Sequence, residues 1–309
     1  MNYINKINQE CNFSYITSNN IFDKCILPII LYGCEIWGVT AHRIIESVLL
    51  KFCRQQLGVG SNAPAPALLG ECGRFNLYVI CYIRCIKYWL KIIKMSDNCL
   101  LKACYIMLLK QCNAGRRNWV WEIKNLLYRY GFGNIWELHN NNDNVNETKF
   151  LKDFGMRVSD CNMQEWHDSI LRMPKLRTLT LFKKENCIEP YLLLYVPQRI
   201  RRYIAKFRIG VHDLEIERGR HRNVRVNDRI CKLCSSIQQI YIEDEYHVLL
   251  ICPFYNELRN IYLNIEQEPK NLHTFITIMS NTGNELIRLG SFLSNMFKLR
   301  KSLLLSMQS

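Results

Sequence analysis

Cys231, Cys234, His247 and Cys252 carry the side chains in this chain best suited to metal chemistry, and their spacing is the reason. A Cys-x2-Cys turn delivers two thiolates from one tight knuckle, and a zinc ion completes its tetrahedron with two more soft or borderline donors. The loop from Cys234 back to His247 is about a dozen residues, which closes without strain. His247 and Cys252 are harder to reconcile. Five positions along a straight α-helix turn one side chain about 140° from the other. Pro253 supplies a remedy: a short helix opening at "EDE" presents His247 in its early turns, and the chain bends at Cys252 before the proline. The competing reading is that these are core cysteines, since a chain with fifteen of them produces one Cys-x2-Cys by chance.

Just upstream, "PQRIRRYIAKFRIGVHDLEIERGRHRNVRVNDRI" sets Arg199, Arg201, Arg202, Lys206, Arg208, Arg218, Arg220, Arg222, Arg225 and Arg229 against four acidic residues. The arginine fork donates two hydrogen bonds to a phosphate at once, and Tyr203 and Phe207 are interleaved where bases or sugars could stack. The segment is therefore expected to bind RNA or DNA; the plainer reading is a solvated helix face followed by a basic loop. Within it, Asp213, Glu215 and Glu217 have basic neighbours and read as ion-pair partners rather than a nuclease site. His42, His139, His167 and His273 have no partner at informative spacing. There is no Gly-rich phosphate loop, no Ser-His-Asp set and no adjacent Asp pair of the two-metal type, so no catalytic residues are expected.

The whole chain agrees with such partners. Its 309 residues carry 41 Lys+Arg against 27 Asp+Glu, a surplus of +14 that suits an acidic partner. The N-terminus lacks a basic and then apolar leader, which predicts an intracellular protein of the nucleus or cytoplasm. The odd cysteine count, scattered through apolar stretches, predicts reduced thiols. "CILPIILYGCEIWGV" is shorter than the roughly 20 residues of a membrane span and contains Glu35. "ELIRLGSFLSNMFKLRKSLLL" is interrupted by Arg288, Lys298, Arg300 and Lys301, so no membrane is expected.

Periodicity predicts a mostly α fold. Asn20 or Asp23 could cap a first helix that Pro28 kinks and Gly38 ends. Ile44, Ile45, Val48, Leu49, Phe52 and Leu57 form one apolar face, and "LYVICYIRCIKYWLKIIK" reads as a long buried helix. "SNAPAPALLGECGRF" predicts a loop with at most a short helical turn. "NWVWEIKNLLYRYGF" ends at Gly131 or Gly133, and Asp160 or Asn162 caps a helix at "MQEWHDSILRM". Strand signals are confined to "LRTLTLF" and "NCIEPYLLLYV". The expected segments are a helical region at 1–138, a polar linker or loop at 139–150, a helical connection at 151–196, the basic segment and knuckle at 197–262, and amphipathic helices at 263–309.

In order along nearly the whole chain, "FDKCILPIILYGCEIWG", "IIESVLLKFCRQQLGV", "LLGECGRFNLYV", "IRCIKYWLKII", "YGFGNIW", "AKFRIGVHDLEIERGRH" and "RICKLC…EDEYHVLLICPFYNELR" resemble the region after the polymerase domain in reverse transcriptases of LINE-type, non-LTR retrotransposons. Such proteins are often described as jockey-like RNA-directed DNA polymerases. Cys34 departs from the pattern, where Ser is more usual, and bears on packing alone. The resemblance implies a helical, thumb-like bundle for 1–138, a C-terminal Cys-Cys-His-Cys zinc knuckle that contacts template RNA or target DNA, and a polymerase core, with its metal-binding aspartates, lying before residue 1 as the missing partner. The function expected is non-catalytic nucleic-acid binding with Zn2+. Two alternatives stand beside it: a metal-free helical scaffold that binds proteins through residues 285–305, and a truncated reading of a full polymerase.

Overall fold

The computed structural model describes residues 13–140, 146–194, 196–265 and 267–307. Helical periodicity is realised almost throughout, and no strand forms among the described residues; two isolated bridges, Cys72 with Ile188 and Ile230 with Ile242, are the only β pairing there. The main helices are α1 (Tyr15–Ile21), α2 (His42–Leu57), α3 (Ala65–Glu71), α4 (Tyr78–Ile93), α5 (Leu100–Asn113), α6 (Trp119–Arg129), α7 (Gly133–Asn140) and α8 (Glu147–Arg172). Beyond them follow α9 (Gln198–Arg208), α10 (Glu215–His221), the single turn α11 (Lys232–Ser235), α12 (Asn256–Tyr262), α13 (Leu272–Ser280) and α14 (Gly283–Ser306).

The chain divides into two units that are not consecutive in sequence. The larger comprises the described parts of Met1–Ser18, Phe52–Arg74 and Trp166–Ser309, and the smaller comprises Asn19–Lys51 and Phe75–Glu165. This replaces the linear segmentation expected from composition, and long-range contacts explain it. In the larger unit Trp166 lies over Gly70 and donates its Nε1–H to the Pro66 carbonyl at 2.9 Å, while the Tyr15 hydroxyl donates to the Cys72 carbonyl at 2.7 Å. Of the polar segment at 139–150, residues 141–145 lie outside the described residues, and α8 begins at Glu147.

In the smaller unit α4 is the centre, burying Cys81, Tyr82, Cys85, Ile86, Trp89 and Leu90 as its apolar run predicts. Trp89 stacks on Trp136 of α7 with centroids 5.9 Å apart and donates to the Tyr105 hydroxyl at 3.2 Å. Asn118 caps α6 by accepting the Trp121 N–H at 3.1 Å, and Gly131 ends it at φ 83. Pro28 is met by a widened turn rather than a sharp kink: Phe22–Ile26 is a π-turn, with the Leu27 N–H bonded to Phe22. The first cap among the described residues is Ser14, which accepts the Thr17 N–H at 3.1 Å, not Asn20 or Asp23. Two further expectations fail for reasons of packing. Ile44 is 74% exposed, off the buried stripe of α2, and Asn162 caps nothing but is buried inside an uninterrupted α8, donating to the Tyr78 hydroxyl at 2.9 Å.

In the larger unit the Pro-rich "APALLGE" forms the two buried turns of α3, more than the single turn expected, because Pro66 sits in the first turn where its missing N–H costs nothing. "LRTLTLF" and "NCIEPYLLLYV" form helical turns at Leu179–Phe182 and Pro190–Leu193, since alternation without a neighbouring strand has nothing to pair with. The C-terminal helix α14 spends its apolar face inside the unit, burying Leu286, Leu289, Phe292, Leu293 and Met296. Gly290 lets α9 come close. A Cβ there would fall 2.3 Å from Ile200 Cγ2 and 2.9 Å from Ile204 Cδ1.

Gly290→Ala gains about 1 kcal/mol of helix propensity but overpacks a stiff β-branched neighbour at about 1–3 kcal/mol, so its net effect is a lower Tm. Gly155→Ala in α8 meets only Ile83 at an ordinary 3.5 Å and should raise stability, by about 1 kcal/mol, in the same thermal scan. Glu46 is the pH-sensitive position. Burial raises its carboxyl from 4.5 to about 7, even though it accepts the Tyr78 N–H at 3.1 Å. Its folded state therefore binds the proton more tightly, a contribution present in full below pH 4.5 and lost as pH rises to about 7. Glu46→Gln should remove that slope, worth on the order of 2 kcal/mol after allowing for partial exposure, in urea titrations across the window.

Candidate metal centre

The knuckle is assembled by backbone hydrogen bonds before any ligand is considered. The Ile230–Ile242 bridge closes the loop, with the Cys231 N–H bonded to the Tyr241 carbonyl at 2.8 Å. Cys231 then precedes the single turn α11, so Cys234 comes back beside it, and Gln238 at φ 63 lets the Gln239 N–H reach the Cys234 carbonyl at 3.0 Å. On the returning chain, Asp244 accepts the His247 N–H at 2.7 Å and starts the next helical turn there.

His247–Ile251 is a π-turn, and this resolves the spacing problem. The Cys252 N–H donates to the His247 carbonyl at 2.8 Å, an i to i+5 bond, so five residues make one turn and both side chains come to the same side. Cys252 itself leaves the helix at φ −56 and ψ 120, and Pro253 follows, as the bend in the sequence predicts. Arg259 of α12 secures the exit by donating to the Val248 carbonyl at 3.2 Å and to the Cys252 carbonyl.

The four predicted ligands meet. Their donor atoms lie within 4.8 Å of one another and all four residues are buried. Cys234 Sγ is 3.4 Å from His247 Nε2 and 3.6 Å from Cys252 Sγ. A tetrahedral ion with metal–sulfur bonds of about 2.3 Å spaces its sulfurs about 3.8 Å apart and sulfur from nitrogen about 3.6 Å apart. The two separations from Cys234 are close to such a polyhedron's edges. The His247 ring stacks on Tyr241, centroids 5.2 Å apart, and its Nδ1 is buried without a partner, so stacking and the π-turn orient the imidazole.

Charge also favours a cation. The hydrogen bond from Cys252 lowers the Cys231 thiol to about 4 against its burial, that same bond raises the Cys252 thiol, and burial pushes Cys234 up to about 12. Three thiols this close disfavour ionising together, and a bound cation would relieve that cost. With four protein donors and no position left for water or substrate, the set has the closed form of a structural site. The residues present can hold a metal ion.

The acidic "EDE" does more than open a helix. Glu243 is buried and held by Arg300 of α14, whose Nε donates at 2.7 Å, and it accepts the Glu215 N–H at 2.8 Å. Burial alone would raise Glu245, but His212 at 2.8 Å and Arg177 at 2.8 and 2.9 Å hold it down to about 2. Sequence reasoning missed Arg177, Glu243, Glu245 and Arg300 as a supporting set; buried pairs separated by 57 and 68 residues leave no local pattern.

The basic segment is not one surface. Arg202, Arg218, Arg222 and Arg225 are exposed, as is Arg199, which donates to Ser294 Oγ at 2.8 Å. Lys206 and Arg201 are partly covered, and burial lowers Arg201. Arg220 and Arg222 pair with Glu217 and Glu215, the role expected for those acids. Two assignments to nucleic acid need correcting. Arg208 is buried, bonded to Glu71 at 3.0 and 3.1 Å, to Glu189 at 2.6 Å and to the Met279 carbonyl at 2.7 Å; its charge is spent in the core. Arg229 gives its guanidinium to the carbonyls of Ile216 at 2.7 Å and Val224 at 3.0 and 3.1 Å, leaving no fork for a phosphate.

Arg300→Met strands the Glu243 carboxylate and should destabilise the chain by about 3–5 kcal/mol. The double variant Glu243→Gln, Arg300→Met should recover most of that loss in urea unfolding. Additive losses would show that the pair is not coupled.

No helix among the described residues is long and apolar enough to cross a membrane. Compared with family models, with curated proteins and with solved structures, the chain matches none of them.

Proposed function

We propose that the chain is a zinc-stabilised nucleic-acid-binding region of the kind that follows the polymerase domain in non-LTR retrotransposon reverse transcriptases, binding RNA or DNA rather than catalysing its synthesis. The observation that carries this reading is the convergence of Cys231, Cys234, His247 and Cys252 at the separations of a tetrahedral site. Three thiolates and one imidazole in a closed set are the donors zinc prefers. The motif residues that carry the resemblance each have a part around the centre: Glu245 anchors Arg177, Leu249 and Tyr255 are buried, Pro253 turns the chain and Arg259 holds the Cys252 carbonyl. In the same unit, Arg202, Arg218, Arg222 and Arg225 put charge on the surface for salt-dependent phosphate contacts. A second reading, docking of the smaller unit on a protein surface, is favoured by Ile29, Tyr32 and Ile36, which are 75%, 86% and 57% exposed.

Metal analysis of the purified chain is expected to find about one zinc per molecule, abolished by Cys231→Ser or His247→Ala together with a fall in Tm. The zinc-loaded chain should bind RNA or single-stranded DNA with an affinity that drops steeply with salt. A metal-free chain of equal stability would overturn the zinc assignment, and an affinity indifferent to salt would overturn the role of the arginines.

A further inference from the structure

A groove of about 720 Å³ opens between the C-terminal half of α9, the loop at Val211–Asp213 and the last turns of α14. Its rim carries Lys206, Arg218, Lys232, Lys298 and Lys301, and Asp213 is the one exposed carboxylate lining it among the described residues. Glu215 lies 4.0 Å from Arg218 and 3.8 Å from Lys232, whereas Lys206, Lys298 and Lys301 have no ion pair among the described residues. Three unpaired ammonium groups repel one another on a concave wall, an arrangement whose field draws in an anion.

Apolar and aromatic side chains also line the groove. Tyr203 and Phe297 stack there with centroids 5.8 Å apart and planes within 16°, and Leu304 and Leu305 continue the apolar wall. His212 stacks behind Phe297 at 6.3 Å and is bonded to Glu245, two residues before the ligand His247. Lys232 lies between the ligands Cys231 and Cys234. The knuckle therefore positions one wall of the groove, and the C-terminal helix supplies the other.

We propose that this groove is a binding site for single-stranded polynucleotide, with Lys206, Lys298 and Lys301 on the phosphates and the Tyr203–Phe297 pair and the leucines against the bases. The proposal rests on the nucleic-acid reading above and moves its centre from the arginine loop to Lys206 of α9 and to Lys298 and Lys301, which lie outside that segment. A duplex offers phosphates but keeps its base faces covered, so it has no use for the rings and leucines; a single strand presents both. An acidic peptide matches the lysines and leaves the rings unused. Lysine ammonium groups are point charges without the arginine fork, and aromatic stacking accepts every base, so the site is expected to be sequence-tolerant.

The test uses the full zinc-loaded chain and labelled single-stranded RNA, single-stranded DNA, a duplex and polyglutamate. Lys298 and Lys301 are exposed, so Lys298→Glu, Lys301→Glu should leave zinc content and Tm unchanged. It should lower single-strand affinity at least about tenfold at about 0.1 M salt and flatten the log affinity against log salt slope by about 1.4. Tyr203→Leu should weaken binding with no change in that slope. If the lysine variant binds as the native chain does while Arg222→Glu, Arg225→Glu does not, the groove is overturned and the nucleic-acid reading stands. Duplex or polyglutamate bound as tightly as single strand overturns the occupant assigned here. A native chain that binds no polynucleotide overturns both readings.

Discussion

A charge buried in the larger unit must be met by an opposite charge or by carbonyl oxygens, as Arg259 is, and this constraint organises the unit. Arg208 joins α9 to Glu71 of α3 and to Glu189, which Lys183 also holds. Arg177 joins Glu217 to Glu245, and Arg300 joins α14 to Glu243. The pairs at Glu243 and Glu245 tie segments that are distant in sequence to the chain that leads into His247. An unpaired ion in such a setting costs several kcal/mol, while the pair itself contributes little net stability. Its effect is selective: arrangements that separate the partners are excluded, and the one that remains brings four soft donors together.

The same logic applies inside the centre, where the like charges are sulfurs. Hydrogen bonds among the cysteines lower the Cys231 thiol and raise that of Cys252, and a cation held there would favour the thiolate form of all three. Glu243 stands 3.9 Å from Cys231 Sγ, and without Arg300 its carboxylate would add one more negative charge to the cluster.

How much of this was readable in the residues follows from the range of the interactions. The ligand set was legible because cysteine and histidine are the donors of such sites and their spacing is short. The helical class was legible because apolar residues recur along α4 and α6 with the helix period. What escaped depends on contacts that local pattern does not encode. Arg208 looks like its neighbours in a basic run, and only Glu71, 137 residues away, makes it a core residue. Pro-rich α3 reads as a loop until Trp166 covers it, and Asn162 reads as a cap until Tyr78 takes its amide. The interleaving of the two units belongs to the same category, since composition changes along the chain while packing joins residues across it.

The π-turn at His247–Ile251 makes chain length a determinant of chemistry. In an α-helix the residue that returns beneath His247 is the fourth, and here it is the fifth, so one residue is accommodated as extra width. That extra residue also changes which side chains are hidden: Val248, Leu249 and Leu250 are buried in succession, a run that an ordinary amphipathic helix would break with a polar position. A sequence related to this one by a single deletion in "HVLLI" could keep both ligands by narrowing the turn, yet would rotate its apolar residues toward solvent. The count of residues between His247 and Cys252 is therefore constrained by the core as well as by the convergence of the two side chains.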